Sequence, residues 1–164
     1  MDALALLRDQ AATADDLLTQ VAEKVTPQQS SWRPEGSTVN RIGVSYLHIY
    51  HSEDGLVQRS QGKPALFESG GWQARFGIDP AAIWTTTASP DFDALRAYAT
   101  EVREATRSYL KQLDPAVLEE EIESPRGKRS RAAGLSLLLV VHKASHMGEI
   151  AGLLGVQGVK GFPF

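Results

Sequence analysis

Leu137-Leu138-Leu139-Val140-Val141-His142-Lys143-Ala144-Ser145-His146-Met147-Gly148-Glu149-Ile150 is a largely apolar run with no proline. It predicts a helix with so little polar surface that neighbouring helices must cover it. The run also carries two histidines four residues apart. Four residues at roughly 100° each bring His146 back over His142, about 6 Å further along the axis. Two imidazoles on one helical face can bind a single metal ion. The only other histidines, His48 and His51, fall on a second predicted helix. A helical bundle centred on a metal is the hypothesis these positions raise.

Three more helices are predicted around that run. Residues 3–25 repeat apolar positions near a 3.6 period, at Leu6, Ala11 or Ala12, Leu17, Leu18, Val21 and Val25, until Thr26-Pro27 stops them. Trp32, in the linker that follows, reads as a plug across one end of the bundle. Ser37 or Thr38 is the expected cap of a helix over residues 39–58, with Val39, Ile42, Tyr46, Ile49 and Tyr50 on one stripe. Val44, Leu47, His48 and His51 lie on the neighbouring stripe. Gly43 and Gly55 each weaken it by about 1 kcal/mol relative to alanine, and mark close helix contact or, for Gly55, a fraying end. Ser89-Pro90-Asp91 opens a further helix to Leu113, with Leu95, Tyr98, Ala99, Val102, Thr106, Tyr109 and Leu110 inside. Asp114-Pro115 ends it, with one further turn to Glu119. The last helix is expected from Gly134 to Leu154. The expected class is all-α, a four-helix bundle in one domain over residues 1–164.

Between the second and third long helices, residues 60–90 lose the pattern. Glycines and prolines punctuate them, and Phe67, Trp72, Phe76 and Trp84 are apolar anchors. Such a long connection either carries short turns of its own or serves function, with Trp72 as one wall of a pocket. It also lets the helices it joins run parallel. After the third helix, Glu119-Glu120-Glu121-Ile122-Glu123 is followed by Arg126-Gly127-Lys128-Arg129-Ser130-Arg131. The two blocks read as a loop or short hairpin whose charges neutralise each other. The basic block has no interleaved aromatics to stack bases.

Composition narrows the chemistry. There is no cysteine in 164 residues, so metal ligands must be nitrogen or oxygen and no thiol nucleophile belongs to the chain. A net charge of −3 gives no general attraction to nucleic acid or anionic membrane. The N-terminus lacks the basic start of a signal peptide, and no apolar run approaches the roughly eighteen residues of a membrane span. The expected setting is cytoplasmic, with a small-molecule substrate, no nucleic acid and no membrane.

All four histidines lie on predicted amphipathic helices. His142 and His146 emerge from the apolar seam after Leu138 and Val141, where an unpaired imidazole is costly. His48 ranks above His51 as the third ligand, because it continues the stripe of Val44 and Leu47. Three neutral imidazoles would leave an ion at least one open position, as in catalytic centres. All-nitrogen ligation suits zinc or nickel, with iron, cobalt or copper as alternatives. Glu149 shares their face. It reads as a partner of a ligand imidazole, a proton acceptor, a further ligand, or a plain surface carboxylate, the last slightly favoured. A di-iron carboxylate bundle would need Glu-x-x-His on two helices. Only the reverse order, His146-x-x-Glu149, is present.

The chain resembles the DinB-like superfamily, the DinB/YfiT-type bundles, over nearly its whole length. The resemblance rests on Trp32-Arg33-Pro34, on His48 with Asp54 six residues later, and above all on His142-Lys143-Ala144-Ser145-His146-Met147-Gly148-Glu149-Ile150, similar to H-x-x-x-H-x-G-[QE]-I. Leu153-Leu154-Gly155-Val156-Gln157-Gly158 resembles the close of many members. The resemblance implies an up-down-down-up bundle with the long crossover after the second helix, and a metal held by His48, His142 and His146. Some relatives are similar to transferases and isomerases that use a low-molecular-weight thiol, which would suit a chain without cysteine. Arg75, Arg126, Lys128 and Arg129 are the cations that could meet a thiol cofactor's carboxylates. The reading is a metal-dependent enzyme of thiol S-transferase or isomerase type. Its rival is a non-catalytic, stress-associated binding or dimerisation bundle with a structural metal or none. Pairing as a homodimer through an exposed helix face is a further expectation.

Overall fold

The computed structural model describes residues 2–123 and 127–162. Asp2 starts the first helix, α1 (Ala3–Ala22), by accepting the amide of Ala5 at 2.7 Å. Leu4, Leu7, Ala11, Ala14, Leu18 and Val21 form its buried face. Leu6, expected inside, is exposed because the buried stripe begins at Leu4 and Leu7. Pro27 does not stop α1, which has already ended. It occupies the first turn of a short helix, α2 (Pro27–Ser31), where its missing N–H costs nothing. Thr26 and Gln29 close a reciprocal capping box there.

The helix carrying His48, α3 (Ile42–Arg59), starts three residues later than its pattern predicts. Ser37 does not cap it; its hydroxyl accepts the Val39 amide in the preceding turn. Arg41 stands at the N-cap, its guanidinium reaching the carbonyls of Ser31 and Thr87. The crossover then folds into α4 (Leu66–Ser69), α5 (Trp72–Phe76) and a 3₁₀ turn at Pro80–Ala82. Asp54, fully buried on α3, pins it. Its carboxylate accepts the amides of Leu66 (2.9 Å) and Phe67 (2.8 Å) and the hydroxyl of Tyr98 (2.9 Å).

Asp91 caps α6 (Phe92–Gln112) through the Ala94 amide, and every inner position expected for this helix is buried. A 3₁₀ turn at Pro115–Glu119 leads to a two-strand ribbon, β1 (Glu121–Ile122) antiparallel to β2 (Arg129–Ser130). The acidic and basic blocks do pair: Lys128 meets Glu121 at 2.7 Å and Arg131 meets Glu120 at 2.8 Å. Arg126 lies outside the described residues.

The final rod has three parts: α7 (Arg131–Ser136), a π-helical stretch at Leu137–His142, and α8 (Lys143–Val156). Ser130 caps it, so it begins before Gly134. The π stretch reconciles its faces. Leu135, Leu139, Lys143 and Met147 are all buried, at intervals of four. In a regular α-helix Leu135 and Met147 would drift about 120° apart. A π turn holds about one residue more than an α turn and absorbs that drift. The inner seam thus runs through Leu139 and Lys143, while Val141, expected on it, is 52% exposed.

By length and composition alone this rod, Arg131–Val156, would qualify as a membrane span, against the expectation from the sequence. Leu135, Leu139, Ile150 and Leu154 of this rod are buried in the core, while Val141 and Val156 are exposed. The four long helices pack in a ring, α3 against α6 and α8, and α1 against α8 and α6. Gly161 lies on α8 so closely that a Cβ there would come within 2.5 Å of the Ala151 backbone. Lys24 holds the same segment through the carbonyls of Lys160, Gly161 and Phe162.

Candidate metal centre

Where α3 faces the end of the π stretch, three imidazoles converge. His48 comes from α3, His142 ends the π stretch, and His146 lies one turn on in α8. The Nε2 atoms of His48 and His142 are 2.9 Å apart. One ring nitrogen from each histidine lies within 4.8 Å of those of the other two. Ring centroids are separated by 4.9 Å, 5.1 Å and 4.7 Å, each pair nearly perpendicular. His51 is not in the cluster. It sits edge-on to Phe67, with ring centroids 4.9 Å apart.

The rings are half-buried, and this sets their protonation. Burial, with the neighbouring imidazoles adding to it, pushes His48 down to about 3 and His142 down to about 4. Both are therefore neutral at pH 7, with lone pairs available to a cation. Burial also holds His51 below its ordinary value, against the opposing pull of Asp54 and Glu68.

The surroundings sharpen three sequence expectations. Glu149 is no idle surface group: its Oε2 lies 2.8 Å from Nδ1 of His146, which orients that ring and leaves its Nε2 for the cluster. The His146–Glu149 spacing of three on one helix face was the signal for it. The aromatic wall is Trp84, whose ring lies 4.0 Å from His48 and 5.5 Å from His146 between centroids. Trp72, the expected wall, instead stacks on Phe76 and packs against Tyr98. Trp32 packs against the main core, as a plug does.

Directly behind His142 is a feature the sequence did not signal. Lys143 is buried and ion-paired with Asp15 of α1 and, at 2.7 Å, with Glu53 of α3. The hydroxyl of Thr106 donates to the other Glu53 oxygen at 2.7 Å. Burial of the carboxyl pushes Glu53 up while Lys143 pulls it back; the two carboxylates hold the ammonium above its usual value despite burial. Asp15 sits between Ala11 and Leu18 on the inner face of α1, which is the only trace of this network in the sequence.

A family model described as the DinB superfamily matches residues 10–150, most of the chain. The chain belongs to the DinB superfamily. Among solved structures, it is similar to the crystal structure of a conserved protein from Enterococcus faecalis. The two are 15% identical, with a TM-score of 0.73 covering 94% of this chain and 99% of that one. At that identity the likeness concerns the fold alone. No curated protein matches the chain.

The cluster of this DinB member fits a divalent ion on its own geometry. A tetrahedral ion with nitrogens at about 2.05 Å holds them roughly 3.3 Å apart. The His48–His142 pair, at 2.9 Å, is already near that separation. The remaining nitrogens, within 4.8 Å, need only a modest ring rotation. His142 Nδ1 is buried and has no hydrogen-bond partner among the described residues, while its Nε2 meets Nε2 of His48.

Proposed function

We propose that His48, His142 and His146 hold one divalent metal ion, zinc or nickel, and that the protein is a metal-dependent enzyme acting on a small molecule. The observation that carries the reading is the convergence of three imidazoles, two of them held neutral by burial, on one point. A bound ion with three protein ligands supplies Lewis-acid polarisation at its open position and lowers the pKa of a thiol or water there. The protein's own contribution is orientation. Glu149 fixes the His146 ring, Trp84 covers His48, and the Lys143 network fixes the backbone beside His142.

A thiol S-transferase or isomerase activity, with a low-molecular-weight thiol supplied from outside, is the reaction type we favour. Its support is the absence of cysteine from the chain together with membership of the DinB superfamily. We also propose the up-down-down-up helix order. Arg8 at the start of α1 reaches Leu110 near the end of α6, as antiparallel helices do. Tyr46 meets Phe92 near the starts of α3 and α6, as parallel ones do.

A second reading has its own support. At 2.9 Å, a proton on Nε2 of one imidazole satisfies the other, so His48 and His142 can hold each other without an ion in a non-catalytic bundle. Metal content separates the two. Protein purified without a histidine tag should carry about one ion per chain, lost in His142→Ala. In cobalt-substituted protein, added thiol or azide should shift the visible spectrum, since the fourth position is open. Wild type that takes up neither zinc nor nickel on incubation would overturn the enzyme reading.

A further inference from the structure

Beyond the imidazole cluster, α3 and the α7–π segment diverge around a cavity of about 390 Å³, closed on its third side by the β1–β2 ribbon. That is a volume suited to a small organic molecule. Leu56, Leu137 and Leu138 give it an apolar wall, and His51 marks the end toward His48. Two arginines line it, Arg59 from α3 and Arg129 from β2.

Gly55 is where Arg59 is seated. A Cβ at position 55 would lie 2.8 Å from one guanidinium nitrogen and 3.4 Å from its central carbon. The side chain therefore folds back over its own helix into the cavity, in a notch that only glycine leaves. Gly134, on the opposite wall, makes room for Ile122 instead. A Cβ there would come within 2.7 Å of Ile122 and 3.8 Å of the Arg129 stem. The Nε of Arg129 is buried and bonds to nothing among the described residues. No carboxylate pairs with either guanidinium among the described residues. The one acidic side chain on the rim, Glu123, lies 3.9 Å from Lys128. The lining thus sets two guanidinium groups over an apolar floor.

We propose that this cavity binds a small amphipathic carboxylate, its acid gripped by Arg59 and Arg129 and its apolar body lying along Leu56, Leu137 and Leu138. A planar carboxylate matches the guanidinium fork in two-point contact. His51, at the near end of the cavity, is one helical turn from His48 and Arg59 is about 16 Å along α3 from it, so the acid is the distal recognition handle of the enzyme's substrate. That last link rests on the proposed function; occupancy of the cavity does not.

The test is calorimetric titration of metal-depleted protein with 4-phenylbutyrate, indole-3-acetate and octanoate, with 4-phenylbutyramide and inorganic phosphate as controls. At least one acid should bind saturably at one site, with its neutral amide about tenfold weaker or worse. Arg59→Gln and Arg129→Gln should each weaken the acid by about tenfold. Gly55→Ala should weaken it without any change of charge, by displacing Arg59. Arg59 is solvent-reaching, so Arg59→Gln should keep the wild-type melting temperature and metal content. The proposal is overturned if no acid saturates below about 5 mM, if the amide binds as well as its acid, or if the arginine variants bind as tightly as wild type. Phosphate binding tighter than every acid would overturn the carboxylate assignment. Because the protein is metal-depleted throughout, none of these results depends on whether the histidines hold an ion.

Discussion

At the scale of single residues, the histidines of α3 part company. His48 meets His142 and His146, whereas His51, three positions on, turns to Phe67 and the cavity. Periodicity separated them only narrowly, since residues three apart share a side of a helix. Glu149 was harder to place. A carboxylate one turn from a histidine is ordinary on a helix surface, and only the 2.8 Å contact to Nδ1 distinguishes this one. Together they give a contrast that competition with a zinc chelator can read. His51→Ala should keep wild-type affinity, while Glu149→Ala should lose about 10–100-fold by freeing the His146 ring. A loss in His51→Ala equal to that of His48→Ala would mean the third ligand is misassigned.

Among the elements, the crossover is the one the sequence described least. Its glycines and prolines marked breaks, and the short turns α4 and α5 between them are set by tertiary contacts instead of by periodicity. The sequence pointed to Trp72 as the wall and the structure puts Trp84 there, because which aromatic reaches the histidines depends on how that segment is pinned. Asp54 does the pinning, and it lies on α3, outside the crossover itself. Asp54→Ala should strand the amides of Leu66 and Phe67 and the Tyr98 hydroxyl, each buried donor costing about 1–3 kcal/mol. Urea denaturation should show that loss. Hydrogen exchange should show the Leu66 and Phe67 amides opening first, before those of α3. Equal protection of the two groups would mean that Asp54 is not what holds the crossover.

For the molecule as a whole, the long helices were legible because their inner faces are apolar at helical spacing, as in α6, where every expected position is buried. What stayed hidden is the polar tie through the middle. Lys143 lies in an apolar run and Asp15 in a mixed one, and neither declares a buried partner on another helix. The Asp15–Lys143–Glu53 network joins α1, α3 and α8 behind the imidazoles. Lys143→Met would leave Asp15 and Glu53 buried without their cation and should cost about 3–5 kcal/mol. Replacing all three with apolar residues of similar volume should restore most of that, since the pair is balanced against its own desolvation. Thermal unfolding of the single and triple variants measures both, and a harmless Lys143→Met would show that the ammonium contributes little.

The π stretch ahead of His142 also has a meaning for ancestry. It lets Leu135 and Met147 share a face at a separation of twelve residues, where an unbroken α-helix would use eleven. Deleting the codon for solvent-facing Val141 would return the rod to regular pitch, with the same inner face and with His142 and His146 still four apart. A relative one residue shorter at this point would therefore carry the same imidazole pair, and a gap placed there in an alignment would record a change of pitch and not the loss of the centre.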